Sequence, residues 1–260
     1  MDFLQSTLDE IIESERKMPL LAQARYGEFY NHAIECSVLL SNCIAEFDHS
    51  RMIFGRFLAL TKKHHMLAVL STVRLHRVQA MMNMRQALEA GAAAAFAIAN
   101  PEVHHFAEMN KHGILDASPE LAKKRYRWLD RHHREKSKWI KTAKDRINQS
   151  AAHANLVSSE RVFRVGEDGK MASIPFFDIE DDYFVKLDLW HSGAVALELM
   201  ELFYSVDQGR DVISFHPKFM AYMGELVRRN GFLLAEGKAT ERYKKAAERL
   251  TRRGIVIGQK

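Results

Sequence analysis

The chain has 260 residues, 47% of them apolar, which allows a sizeable core and excludes bulk disorder. Its net charge of +5 is too mild to argue for nucleic acid by itself, so such an argument needs a local basic patch. No run approaches the ~18 apolar residues that span a membrane, and the acidic start MDFLQSTLDEIIESE lacks a signal-peptide pattern. A cytoplasmic location with no membrane attachment is expected.

Residues 2–17 read as an amphipathic helix with Phe3, Leu4, Leu8, Ile11 and Ile12 as its stripe and Pro19 past its end. Residues 21–48 form a longer one. Its Cys36 and Cys43, seven apart on one face, lie about 10 Å apart from the helical rise. That exceeds disulfide reach, so free thiols are expected. Residues 52–99 are helical in character, as one helix or two, with Lys62–His65 a candidate bend, and Asn100-Pro101 stops them. Small residues from Gly91 to Ala95 suit close helix approach. A short helix is expected at 102–110 and a loop at 111–118. Ser118-Pro119 then starts a helix reaching about Val157.

Beyond this the period changes. Val162–Val165 and Ala172–Phe177 flank Asp168-Gly169 and predict a β-hairpin. Asp178 or Asp181 caps a following helix, Pro217 opens another that ends near Gly237, and a basic helix covers 239–253. The fold expected is mainly α. It is a multi-helix bundle with one inserted β-hairpin near residues 160–178, in a single domain over 1–260.

Between Lys123 and Arg146 stand 11 Lys/Arg against three acids. Lys123, Arg127, Arg131, Arg134, Lys138 and Lys141 step by three or four, so a single helix would align them on one face. Tyr126, Trp128 and Trp139 are interleaved. A cationic ridge of this kind attracts a polyphosphate backbone, and aromatics stack bases. The alternative is a solvated helix face, although solvated helices usually mix both signs.

Later in the same stretch, Arg146, Ser150 and His153 share a face at spacings of four and three. Arginine offers a forked donor to phosphate, and histidine exchanges protons near neutral pH. The pair suits metal-independent RNA cleavage, with Arg146 on phosphate and His153 as acid or base. The alternative is a buried, hydrogen-bonded His153. Arg85 and Glu89 form an i, i+4 pair in an apolar helix. It serves either as a structural ion pair, the preferred reading, or as a partner that orients His153 or bonds Arg146. Glu46–His49 and Glu102–His105 have the spacing of di-iron bundles, but both lie beside helix breaks. His64-His65, His104-His105 and His132-His133 read as exposed. No metal site and no cofactor are expected. Walker, dinucleotide, G-x-S-x-G and C-x-x-C patterns are all missing from the sequence.

Arg85-Gln86-Ala87-Leu88-Glu89, followed by Arg146 and then Ser150-Ala151-Ala152-His153-Ala154-Asn155, resembles the HEPN superfamily. The likeness is closest to bacterial HEPN-like proteins with an R-x-L-x-E helix and a later Ser/His segment. It covers about residues 80–157. Arg146 and His153 have six residues between them, and Ile147 stands where the family usually has a polar residue. The resemblance implies an α-helical bundle with its core at about 52–157. It also implies a homodimer that brings Arg and His together, and RNA cleavage or RNA binding in toxin–antitoxin or phage-defence settings. Ser150, Asn155, Arg85 and Glu89 would support Arg146 and His153. The leading expectation is an RNA-directed protein acting as a metal-independent ribonuclease, with an antitoxin or other protein partner. The alternative is a non-catalytic helical module that binds a protein partner or nucleic acid.

Overall fold

The computed structural model describes residues 2–4, 7–110, 112–151, 159–165, 171–179 and 181–245. Among the described residues the fold is mainly α, with three small sheets. In chain order come β1 (Asp2–Leu4), α1 (Leu8–Tyr26), α2 (Glu28–Asn42), β2 (Ile44–Phe47), α3 (Met52–Val73) and α4 (Arg77–Ala99). Next are β3 (Glu108–Met109), β4 (Leu115–Asp116), α5 (Pro119–His132) and α6 (Arg134–Ala151). The described elements end with β5 (Arg164–Val165), β6 (Met171–Ser173), α7 (Asp182–Asp207), β7 (Ile213–Phe215) and α8 (Phe219–Ala239).

α7 is the centre of the bundle. It packs against α1, α2, α3, α4 and α8, and it buries residues on every side from Val185 to Asp207. A helix apolar all round belongs in a core. α4 is its closest counterpart in character, buried almost continuously from Ala87 to Ile98. Small side chains let the two approach: a Cβ added at Gly91 would sit 2.5 Å from Leu199 Cδ2. A second, smaller apolar cluster joins Tyr26, Phe29, Val69, Val73, Val185 and Leu189.

The expected hairpin forms, with Arg164 opposite Ser173 and Val165 opposite Ala172; its Asp168-Gly169 turn lies outside the described residues. β1 adds to it in parallel, Phe3 opposite Ala172. This corrects the helix expected at 2–17. The first helix starts instead at a capping box, where Thr7 and Glu10 satisfy each other's backbone N–H groups. It then runs through Pro19 to Tyr26. Burial of Ala22 and Tyr26 holds the far side, and the stripe expected at Leu8 and Ile12 is exposed. The chain turns at Gly27, whose φ of +57° suits glycine.

Two further breaks fall elsewhere than expected. α3 does not bend at Lys62–His65; the chain reverses at Arg74–His76, with Leu75 at φ +58°. His65 is buried, not exposed. One ring nitrogen meets the Ser192 carbonyl at 2.8 Å and the other the Ser37 hydroxyl at 3.1 Å. The nitrogen facing the carbonyl donates, and the Ser37 hydroxyl itself donates to the Ala33 carbonyl at 2.8 Å. The short helix expected at 102–110 is a 3₁₀ turn at Val103–His105 followed by the β3–β4 hairpin. β2 and β7, unforeseen in the sequence, pair antiparallel, with Phe47 opposite Ile213. Asp181 caps α7 by accepting from the Tyr183 N–H. Cys36 and Cys43 are free and buried.

Candidate nucleic-acid interface

The long helix expected from Pro119 to Val157 is broken at His133, where φ is −139° and ψ is 55°. No Gly or Pro marks the break. Tertiary packing sets it: Trp128 stands edge-on to Phe96 at 5.5 Å and lies against the rings of His132 and His133. α5 starts as expected, with Ser118 accepting from the Leu121 N–H. α6 then folds back along α5, so that Lys141 reaches Asp130 at 2.6 Å and Lys144 reaches the Tyr126 hydroxyl at 2.9 Å. The pair is anchored by Leu121 and Leu129 on one helix and by Ile140, Ala143, Ile147 and Ala151 on the other. Ile147 is therefore a core residue, which explains the apolar side chain after Arg146.

This reversal rearranges the basic ridge. Lys123 and Arg127 from α5 meet Lys141 and Lys144 from α6 across a groove of about 580 Å³. Tyr126 lines it, with the Lys144 ammonium 4.6 Å from the ring centre. A neighbouring groove of about 300 Å³ takes Arg134, Lys138 and Lys141. Arg131 is exposed on the last turn of α5. The six expected cations thus stand on two helices, not on one face of one helix.

Acids temper this surface. Asp130 lies between the two grooves, and its bonds from Lys141 and Ser137 hold its carboxyl below the usual carboxylate range. Asp145 lines the larger groove, and Lys123 bonds Glu120 at 2.6 Å. Burial pulls the Lys144 pKa down, but Tyr126 and Glu89 outweigh it and hold the ammonium charged. Both grooves keep an excess of positive charge.

Arg85 and Glu89 stand one turn apart on α4, 3.4 Å from each other. Glu89 meets α6 through Lys144 at 3.0 Å. Arg146 is exposed and makes no ion pair among the described residues. Ser150 falls on the last turn of α6. His153 and Asn155 lie outside the described residues.

Sequence reasoning missed a second polar cluster. The Arg77 guanidinium forks onto Asp188 at 2.6 and 3.3 Å, and the Arg77 N–H donates to Asp178 at 2.6 Å. His191 follows on the next turn of α7. Only the Asp188-x-x-His191 spacing was visible beforehand, because Arg77 comes from 111 residues away.

Glu102 and His105 approach to 3.3 Å, but burial and the neighbouring Lys124 and His104 push the imidazole pKa down. Among the described residues no group of three His, Cys, Asp or Glu is placed to hold a metal ion. Among those residues, too, no helix is long and apolar enough to cross a membrane. Comparison with family models, curated proteins and solved structures finds no match to this chain.

Proposed function

We propose that the chain is a HEPN-like, RNA-directed protein that takes its ligand along the α5–α6 hairpin. One observation carries this reading: Lys123, Arg127, Lys141 and Lys144 converge from two helices on one groove beside Tyr126. Phosphates pair with such cations and release counterions, and a half-exposed tyrosine ring offers a stacking face. Metal-independent cleavage is the finer part of the proposal, with Arg146 on phosphate and His153 as acid or base. A homodimer, and an antitoxin or other protein partner, belong to the same reading through the family resemblance.

The test is binding of a single-stranded RNA pool as salt is raised. Each groove cation replaced, as in Arg127→Gln or Lys138→Gln, should lower the slope of log affinity against log salt by about 0.7. An unchanged slope in both variants would remove the hairpin from the interface. Cleavage is measured on the same pool with EDTA present, wild type against His153→Ala. Binding without cleavage by the wild type supports the second reading, a non-catalytic nucleic-acid-binding module.

A further inference from the structure

A third groove carries the opposite charge to the two on the hairpin. It has a volume of about 470 Å³, within the range of small-molecule sites, and runs between α2 and α8. These helices pack on each other and on α7. The floor is apolar, since Leu39 and Leu226 line it and are buried members of the main core. Val38 and Tyr222 line it too, and they are 52% and 47% exposed. The core has already taken the inner faces of both helices, so these side chains stay open to a ligand that fills the space.

Two carboxylates also line the groove, Glu35 from α2 and Glu225 from α8. The Arg229 guanidinium spans them, donating to Glu35 Oε2 at 2.8 Å and to Glu225 Oε1 at 3.0 Å. Among the described residues the second oxygen of each carboxylate makes no hydrogen bond, and no Lys or Arg lines the groove. Two carboxylates against one guanidinium leave a single negative charge in excess. Asn42 adds an acceptor: its amide nitrogen donates to the Val38 carbonyl at 2.8 Å, and its own carbonyl oxygen remains. His216 completes the lining, with Nδ1 accepting from the Lys218 N–H at 3.2 Å. An aromatic face beside such a pair of acids attracts a cation.

We propose that the α2–α8 groove binds a small organic monocation, an amine with an apolar body. The ammonium donates to the second oxygens of Glu35 and Glu225 and meets the Tyr222 ring. The apolar body covers Val38, Leu39 and Leu226 and displaces water from them. Charge decides the class of ligand. An anion would bring its charge to a lining that is already negative. A dication would exceed the single charge that Arg229 leaves uncompensated. The groove shares no lining residue with those of the hairpin, and the proposal does not rest on the RNA-directed reading.

The experiment titrates the full chain with phenethylammonium, with hydrocinnamate as its anionic counterpart and with the dication cadaverine. Binding is read by NMR from the methyl signals of Val38, Leu39 and Leu226. Phenethylammonium should bind with a Kd on the order of 1 mM, and hydrocinnamate at least about tenfold more weakly. Glu225→Gln should weaken the amine by about fivefold, and Tyr222→Leu by about two- to fivefold. Arg229→Gln should tighten it and favour cadaverine, because both carboxylates then lack a counter-ion; a purely structural arginine gives no such gain. Should Arg229→Gln not fold, the Glu225→Gln titration decides, and affinity equal to that of the wild type overturns the proposal. Methyl signals unmoved by phenethylammonium at about 20 mM, or equal binding of amine and anion, overturn it as well. Signals that shift with protein concentration in the absence of amine would assign the groove to a second copy of the chain, which also overturns it.

Discussion

Glu89 on α4 holds two cations on one carboxylate oxygen, Lys144 from α6 at 3.0 Å and Arg85 from its own helix at 3.4 Å. This contact ties the α5–α6 hairpin to the most buried helix pair. Lys144 is largely shielded from solvent, so loss of its partner leaves a poorly hydrated ammonium.

Glu89→Ala should therefore cost more than a typical surface substitution, about 1–2 kcal/mol in urea denaturation. Arg85→Ala removes the longer, more exposed contact and should cost under about 1 kcal/mol. Equal losses in the two variants would contradict this ranking.

The approach of α4 to α7 gives a second prediction. In Gly91→Ala the new methyl would collide with Leu199, a fully buried side chain with little room to move. Overpacking costs about 1–3 kcal/mol and helix propensity returns up to about 1 kcal/mol. A net loss is expected. Leu199→Val combined with Gly91→Ala should be less destabilising than the two single changes added together. Strict additivity would mean that the two sites do not touch.

Acid should weaken the fold before the carboxylates titrate. His32 and His65 are buried, and burial pushes both pKa values below the ordinary value near 6.5. The unfolded chain therefore binds protons first as pH falls. Stability from these groups is complete above about pH 7 and declines below about 6.5. The slope approaches about 1.4 kcal/mol per pH unit for each ring that stays neutral. Urea midpoints at pH 7.5 and 5.5 measure this, and His65→Gln should flatten the decline. A midpoint that rises on acidification would be incompatible with neutral buried rings.

The two thiols should be silent in the folded protein. Burial pushes Cys36 up to about 12 and Cys43 up to about 11, so neither supplies thiolate at pH 8. A disulfide reagent such as DTNB should leave both unmodified in buffer and titrate both in denaturant. Rapid reaction of either one in buffer would show that its helix opens locally.

The sequence carried the fold class because long apolar periodicity and explicit start signals such as Ser118-Pro119 act locally. The hairpin was legible for the same reason, since its strands flank a turn pair. The misreadings share a different cause. Pro19 looked like a stop, but one lost backbone bond is tolerated where Ala22 and Tyr26 bury the next turn. His133 carries no breaker, and its turn exists because Trp128 packs edge-on against Phe96 of α4. β2 and β7 are four and three residues long, too short for any pattern, and they pair across more than 160 positions. The candidate site divides in the same way. Its basic residues could be counted from the sequence, but their groove depends on a reversal that no residue announces. The Arg77–Asp188–His191 cluster depends on helices far apart in the chain.

The central place of α7 also bears on how the protein is made. During synthesis the apolar sides of α2, α3 and α4 leave the ribosome before the helix that covers them, which begins only at Asp182. Until then the nascent chain carries a bundle without its middle, and its open surfaces invite chaperones and self-association. Chains stalled before residue 182 should be captured and digested readily. Chains long enough to free β7 from the exit tunnel should acquire protease resistance in one step, because that strand closes on β2 as α7 seats.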